Sequence, residues 1–346
     1  MDNNVPDGRE IRVAWDQEGH MRMGKELHTV PDKCLREAAK ELRAKEDVTI
    51  RWADKTAAFV LIRTEEYHHK LDEILADNSK FQRITKNPVD DSKCEAHRII
   101  ETVNAASNIL HLLLIVGDYD LGYIHGDTTT HKPGNPLHPI ISQIPAPTYQ
   151  LVKKLNAILT PYVPDDHSLK SSAVFIGALK VTLPGGVIAS MDVESLFTNV
   201  PVDEAIQIIL DRVCRDDSMP PLNIPEHALR TLHRDHMYIQ KDGVAMGSPL
   251  GVHFANFYMG AVERWVFVAI EKLSIYIRYI DNTFISASMV EEIEDLRQAF
   301  YNHSSLNFII EHCRDRHLPF LHVLVGPQEE CFITQVYTKP TSWACA

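Results

Sequence analysis

Residues 190–206 read SMDVESLFTNVPVDEAI and residues 276–284 read YIRYIDNTF. Each contains a β-type run that ends on an aspartate, Asp192 in the first and Asp281 in the second. A lone aspartate at a strand end is most often a turn or capping residue. Two of them on strands of one domain describe something narrower, a pair of carboxylates projecting past one sheet edge. Phosphoryl transfer onto a hydroxyl uses two divalent cations held roughly 4 Å apart, one activating the attacking oxygen and one holding the leaving group. Hard cations such as magnesium take oxygen ligands, and Asp192, Asp281 and a backbone carbonyl such as that of Val193 offer such a set.

Outward from these runs, strand and helix patterns alternate. GVIASMDV (186–193) reads as a buried strand, VDEAIQIILDRV (202–213) and LGVHFANFYMGAVERWVF (250–267) as helices, and IYIRYI (275–280) as a strand entering a turn at Asp281 and Asn282. VEEIEDLRQAF (290–300) is helical again, and LNFIIE, LPFLHVLV and FITQVYTK read as three further strands. Ser248 followed by Pro249 suits a helix cap with proline at the first helical position. This order predicts an α+β fold whose mostly antiparallel sheet is backed by helices. Upstream, a helix is expected from Asp32, VTIRW (48–52) and AAFVLI (57–62) form a hairpin, and EEYHHKLDEILAD places Tyr67, Leu71, Ile74 and Leu75 on one helical face. His68 and His69 are adjacent and do not share a face as metal ligands. Residues 87–130 carry only a weak pattern and read as a link, HKPGNPLHPIIS (131–142) as a loop running into a strand, and Pro147 to Leu159 as a helix with Val152, Leu155, Ile158 and Leu159 inward. Residues 1–30 are expected to be loosely ordered, 31–117 to form an amino-terminal helical and hairpin region, and 118–346 to form the main domain.

The chain has 346 residues, 45% of them apolar and 24% charged, which is the balance of a folded soluble protein. Its formal charge of −12 runs against a uniformly basic nucleic-acid-binding surface but does not decide the matter, since a basic groove can be local or can lie on a domain this chain lacks. Six scattered cysteines without a C-x-x-C pair suggest neither a disulfide framework nor a zinc site. No secretory signal and no membrane-length apolar run are visible, so an intracellular protein of nucleus or cytoplasm, not secreted and not in a membrane, is expected. A small phosphotransferase would also use paired aspartates, but no G-x-x-x-x-G-K-[ST] loop supports it.

The first quoted string resembles the first palm motif of reverse transcriptases from Penelope-like retroelements, QKDGVAMGSPLG (240–251) resembles their second, and YIRYIDNTF their third. HKPGNPLHPIISQIPAPTYQL (131–151) is similar to the family's fingers segment, and LPFLHVLV and VYTKPT to the segment after the catalytic motifs. ADKTAAFVLIRTEEY (53–67) is similar to its amino-terminal region, so the likeness covers about Asp54 to Thr341. The resemblance implies a right-hand polymerase palm and fingers with an α/β amino-terminal extension, acting as an RNA-directed DNA polymerase. RNA template, DNA primer and deoxynucleoside triphosphates would be its partners, and two Mg2+ ions, or Mn2+, its cofactors. It implies metal ligation by Asp192, Val193, Asp281 and Asn282, with Asp192, Asp281 and Asn282 as the catalytic set. Phe197 would exclude a ribose 2′-hydroxyl, or else be a core ring. Gly243, Gly247 and Ser248 would let backbone approach nucleotide and template, and Lys132 and His138 would reach the triphosphate. Tyr276, Arg278 and Tyr279 flank the metal turn, where a ring or a guanidinium would support the primer, although sheet packing explains the tyrosines equally well.

Three positions depart from the family. Asn282 stands where a second aspartate is expected, His138 where the PLRPI pattern has arginine, and His322 where a structural aspartate is expected. The stretch from Ile224 to Gln240 is shorter than in relatives, and neither the thumb nor the GIY-YIG endonuclease of the family follows within 346 residues. These departures imply an alternative, a catalytically decayed copy that keeps the fold as an inert, structural or nucleic-acid-binding protein.

Overall fold

The computed structural model describes residues 44–54, 59–78, 80–81, 87, 89–106, 119–120, 122–130, 133–219, 226, 243–244, 247–270, 273–329 and 331–337, with positions 14–15, 21–22, 37, 40 and 41. Contacts divide the chain into two units. One holds the described residues up to Asp77 with Ile124–Ile140, and the other those within Asn78–Tyr123 and Ile141–Lys339.

In the first unit, β1 (Ala14–Trp15) and β2 (Met21–Arg22) form a two-residue ladder inside the segment expected to be loosely ordered. Of the helix expected from Asp32, Glu37, Lys40 and Glu41 are described and helical. The expected hairpin is present as β3 (Val48–Trp52) and β4 (Phe59–Arg63), in register from Val48 opposite Arg63 to Trp52 opposite Phe59. Helix α1 (Thr64–Leu75) follows at once. It buries Tyr67, with Leu71 and Ile74 packed alongside, while Leu75, expected on the same face, is 40% exposed. Strands β5 (Tyr123–Thr128) and β6 (Leu137–Ser142) pair as a second ribbon. The Tyr67 hydroxyl accepts the Gly126 N–H at 2.8 Å, tying helix to ribbon.

The second unit is built on a four-stranded antiparallel sheet in the order β10 (Phe308–His312), β7 (Val187–Val193), β9 (Asn282–Ala287), β8 (Ile275–Tyr279). Successive side chains of a strand face opposite sides, and here both sides are covered. Ala189, Met191 and Val193 of β7 and Ile285 and Ala287 of β9 join a layer of helices: α2 (Val89–Ala106), α3 (Tyr149–Leu159), α6 (Val202–Leu210), α7 (Gly251–Ala269) and α8 (Val290–His303). Ile188 and Phe284 face the other way, onto α4 (Ser172–Lys180) and a small sheet of β11 (Leu318–Phe320), β12 (Val323–Pro327) and β13 (Phe332–Val336). Phe284 meets Phe175 and Phe320 there at centroid distances of 5.1 and 5.7 Å. Burying each such ring contributes about 2–3 kcal/mol.

Three expectations are corrected. Within residues 87–130 lies α2, 18 residues long, whose buried side chains among the described residues are Ala96, Ile99 and Ile100 amid polar neighbours, too narrow a stripe to stand out. Strand β5 and helix α4 also went unread. LPFLHVLV is a hairpin rather than one strand, because Leu321 (φ 47°) and His322 (φ 63°) both take left-handed backbone and turn β11 onto β12. Ser248 does not cap α7, which begins after Leu250 without a side-chain cap. Instead, the Ser248 carbonyl accepts the Gly251 N–H in a turn at 3.0 Å.

Candidate active site

Asp192 is the penultimate residue of β7, and Asn282, the first of β9, is its register partner. Directly opposed residues of an antiparallel pair share a face with Cβ atoms about 5 Å apart. Strands β8 and β9 are joined by a two-residue turn, Ile280 and Asp281, since Tyr279 pairs with Asn282. Ile280 sits at φ 57°, left-handed backbone that a β-branched side chain rarely adopts. Positive φ at the first loop position is the pattern of a type II′ hairpin turn. The Asp281 carbonyl accepts the Val193 N–H at 2.8 Å, which places the turn one residue along from Asp192. Both aspartates therefore stand at one end of the same sheet, half-buried.

Beyond Asp192 the chain leaves the sheet through Ser195, left-handed at φ 52°, into the single turn α5 (Leu196–Asn199). Phe197 on that turn is half-buried and packs on the helical core, so part of its ring is sheltered and part is open. Its carbonyl accepts the Val244 N–H at 2.6 Å. Beside this bond Gly243, at φ +80°, lies so close that a Cβ would sit 2.6 Å from the Thr198 carbonyl oxygen. Glycine is required here by backbone conformation and by contact with the first motif. Gly247 is also left-handed, at φ +108°. The described parts of all three motifs thus meet in the second unit.

Behind the turn lies a buried polar network that the sequence did not reveal. Arg278 is 1% exposed and Glu263, on α7, 2%. The guanidinium Nε donates to Glu263 Oε1 at 2.6 Å, and Nη1 donates to Asn256 Oδ1 at 2.7 Å and to the Ile280 carbonyl at 3.1 Å. Tyr276 donates its hydroxyl to the same Glu263 oxygen at 2.9 Å, and its burial, with the Glu263 charge beside it, holds its ionisation well above the ordinary phenol value. Arg278 therefore does not reach out to a primer, as the sequence reading had it; it faces inward and holds the turn. The only available signal was the i−3 spacing to Asp281, and its partner lies fifteen residues upstream on a helix.

Whether divalent cations suit this edge can be judged from its donors. The Asn282 Oδ1 is buried without a hydrogen-bond partner, an acceptor oxygen that a cation would satisfy. Two carboxylates and that amide oxygen are donors of the all-oxygen kind that a hard ion takes. Among the described residues no group of three or more His, Cys, Asp or Glu is arranged around a metal position.

Tyr279, the last residue of β8, is half-buried against the cluster of Phe284 and Phe320. Lys132 lies outside the described residues. His138 is on β6, its Nδ1 3.7 Å from Asp54 Oδ2. Nearby His125 has its pKa lowered by burial, and Asp127 has its raised by burial. The described cysteines, Cys94, Cys214, Cys313 and Cys331, are unbridged, and no described helix is long and apolar enough to cross a membrane.

No protein-family model matches the sequence, and no curated protein matches it. Solved structures do match in shape. Telomerase from Candida albicans, in complex with a TWJ fragment of telomeric RNA, superposes with a TM-score of 0.55 at 9% identity, over 86% of this chain and 55% of that one. Telomerase from Candida tropicalis truncated from its C-terminal domain gives 0.53 at 8% identity, over 83% and 63%. Apo telomerase from the same organism gives 0.50 at 10%, over 88% and 61%. The fold is telomerase-like. At these identities the likeness is one of fold alone, and the chain spans between 55% and 63% of those telomerase chains.

Proposed function

We propose that this chain is the polymerase domain of a reverse transcriptase from a Penelope-like retroelement, with a right-hand palm and fingers that copy RNA into DNA. The observation that carries the reading is the strand edge where Asp192 faces Asn282 and the Asp281 carbonyl is bonded to the Val193 N–H. Three motifs quoted in the family's order, meeting at one sheet end of a telomerase-like fold, support it further.

In this reading Asp192 and Asp281, with the Val193 carbonyl and Asn282 Oδ1, would hold two Mg2+ or Mn2+ ions. When bound, these ions lower the pKa of the primer 3′-hydroxyl and neutralise charge on the triphosphate. The chain's own part is positioning and electrostatics. The open side of the Phe197 ring limits room beside the sugar, Gly243 lets the second motif pass close to the first, and Gly247 and Ser248 would let backbone approach nucleotide and template. Lys132 and His138 would meet the triphosphate. RNA template, DNA primer and deoxynucleoside triphosphates are the proposed partners, and nucleus or cytoplasm the proposed compartment. Primer extension on an RNA template with magnesium or manganese tests the reading. Product is expected from the natural chain and none from Asp192→Ala; equal product from both would overturn it.

Asn282 favours a second reading, a decayed copy that retains the fold. A neutral amide in place of a carboxylate removes a unit of negative charge beside the cations and weakens their binding and transition-state stabilisation. Restoring Asn282→Asp with His138→Arg is expected to raise extension about tenfold or more, equivalent to ~1.4 kcal/mol of barrier. No gain would favour decay beyond these two positions.

A further inference from the structure

We propose that Arg278 and Glu263 are positioning residues that set where the Asp281 carboxylate stands, an inference that rests on the metal-site reading above. Asp281 is held through the peptide groups on both of its sides. The carbonyl of Ile280, before it, accepts from Arg278 Nη1 at 3.1 Å, and its own carbonyl accepts from Val193 N–H at 2.8 Å. The second bond ties the turn to the strand of Asp192, and the first ties it to helix α7.

The guanidinium is itself fixed in place. Glu263 takes Nε at 2.6 Å and Nη2 at 3.3 Å, and Asn256 takes Nη1 at 2.7 Å. Asn256 and Glu263 lie seven residues apart on α7, two turns along one face, and Tyr276 occupies a further lone pair of Glu263. Arg278 is nearly completely buried, and a buried ion pair contributes little net stability compared with apolar side chains of similar size. Its distinctive contribution is direction. A planar fork with fixed donors can grip a carboxylate with one edge and a turn carbonyl with another, which a lysine point charge cannot. The turn needs such a hold, because Ile280 sits in left-handed backbone at φ 57°, a conformation that persists only where its surroundings impose it.

The test uses the full chain and Mn2+ titration followed by electron paramagnetic resonance, with Asp192→Ala defining the specific site. Arg278→Lys is expected to weaken Mn2+ binding at that site about tenfold, with melting within a few degrees of the natural chain. The double variant Arg278→Met with Glu263→Met replaces the pair by apolar volume, so it is expected to fold while showing the same loss. Asn256→Ala, which removes one support of the guanidinium and no charge, is expected to weaken binding about threefold. In primer extension, kcat is expected to fall with the nucleotide KM unchanged. Natural Mn2+ affinity in the folded double variant and in Asn256→Ala would overturn the positioning role. Absence of Asp192-dependent Mn2+ binding in the natural chain would instead overturn the metal-site reading and this inference with it.

Discussion

Gly243 shows how much one side chain can decide. Its φ of +80° is costly for any L-residue with a Cβ, and a methyl there would press on the Thr198 backbone from 2.6 Å. Gly243→Ala is therefore expected to lower stability by about 2 kcal/mol, measured by urea unfolding, and to reduce primer extension because the bond from Val244 to Phe197 would be displaced. The glycine was legible as a candidate, since small residues beside a motif announce close backbone approach. What it approaches was not legible, because Thr198 is 45 positions away in sequence. Arg278 was misread for a related reason. An arginine in a strand ordinarily projects to solvent, and only the meeting of β8 with α7 makes it interior.

Elements were legible wherever a long apolar period coincided with one kind of burial. Helices α6, α7 and α8 and strands β7 and β8 follow their sequence patterns closely, whereas β9 went unread and Asn282, expected in the turn, is its first residue. Misreadings came where a turn lacked turn residues or a helix buried a narrow stripe. In LPFLHVLV the two central positions of a tight hairpin are Leu321 and His322, both left-handed, in place of the usual Asn-Gly. Histidine tolerates this backbone better than most residues, though less well than glycine. His322 is exposed, so His322→Gly is expected to raise stability by about 0.5–1 kcal/mol, seen as a rise of a few degrees in thermal melting. An aspartate at this position would serve the same turn, since Asp also enters left-handed backbone readily.

Across the whole molecule, a sheet packed on both faces explains why GVIASMDV reads as nearly continuous apolar sequence rather than alternating. The acidic total of −12 does not describe any one surface, and a local basic groove remains compatible with it. The first unit carries a half-buried pair of opposite pH dependence. Burial lowers the His125 pKa below 6.5 and raises that of Asp127 above 3.8. His125 therefore favours the folded state above pH 6.5, and this contribution is lost as pH falls from there through its lowered folded value. Asp127 acts in the opposite sense: its favourable contribution is complete below pH 3.8 and is lost as pH rises through its raised folded value. Burial lowers the pKa of His253 on α7 in the same sense, so the histidine contribution to stability is expected to fall on acidification from about pH 6.5. His125→Gln should make that limb shallower without removing it, as followed by Tyr and Trp fluorescence during urea titration at a series of pH values.

The sequence by itself determined the α+β class, the helices and strands with strong periods, and the two aspartates worth attention, because side-chain period and turn chemistry are local properties. The tertiary structure decided what those aspartates are part of. It placed Asp192 opposite Asn282, bonded the Asp281 carbonyl to Val193, and set a buried Arg278–Glu263 pair behind the turn. Each of these depends on register between strands or contact between a strand and a helix far apart in the chain. Such pairings arise from closing long loops and burying both faces of one sheet, which no single window of sequence contains.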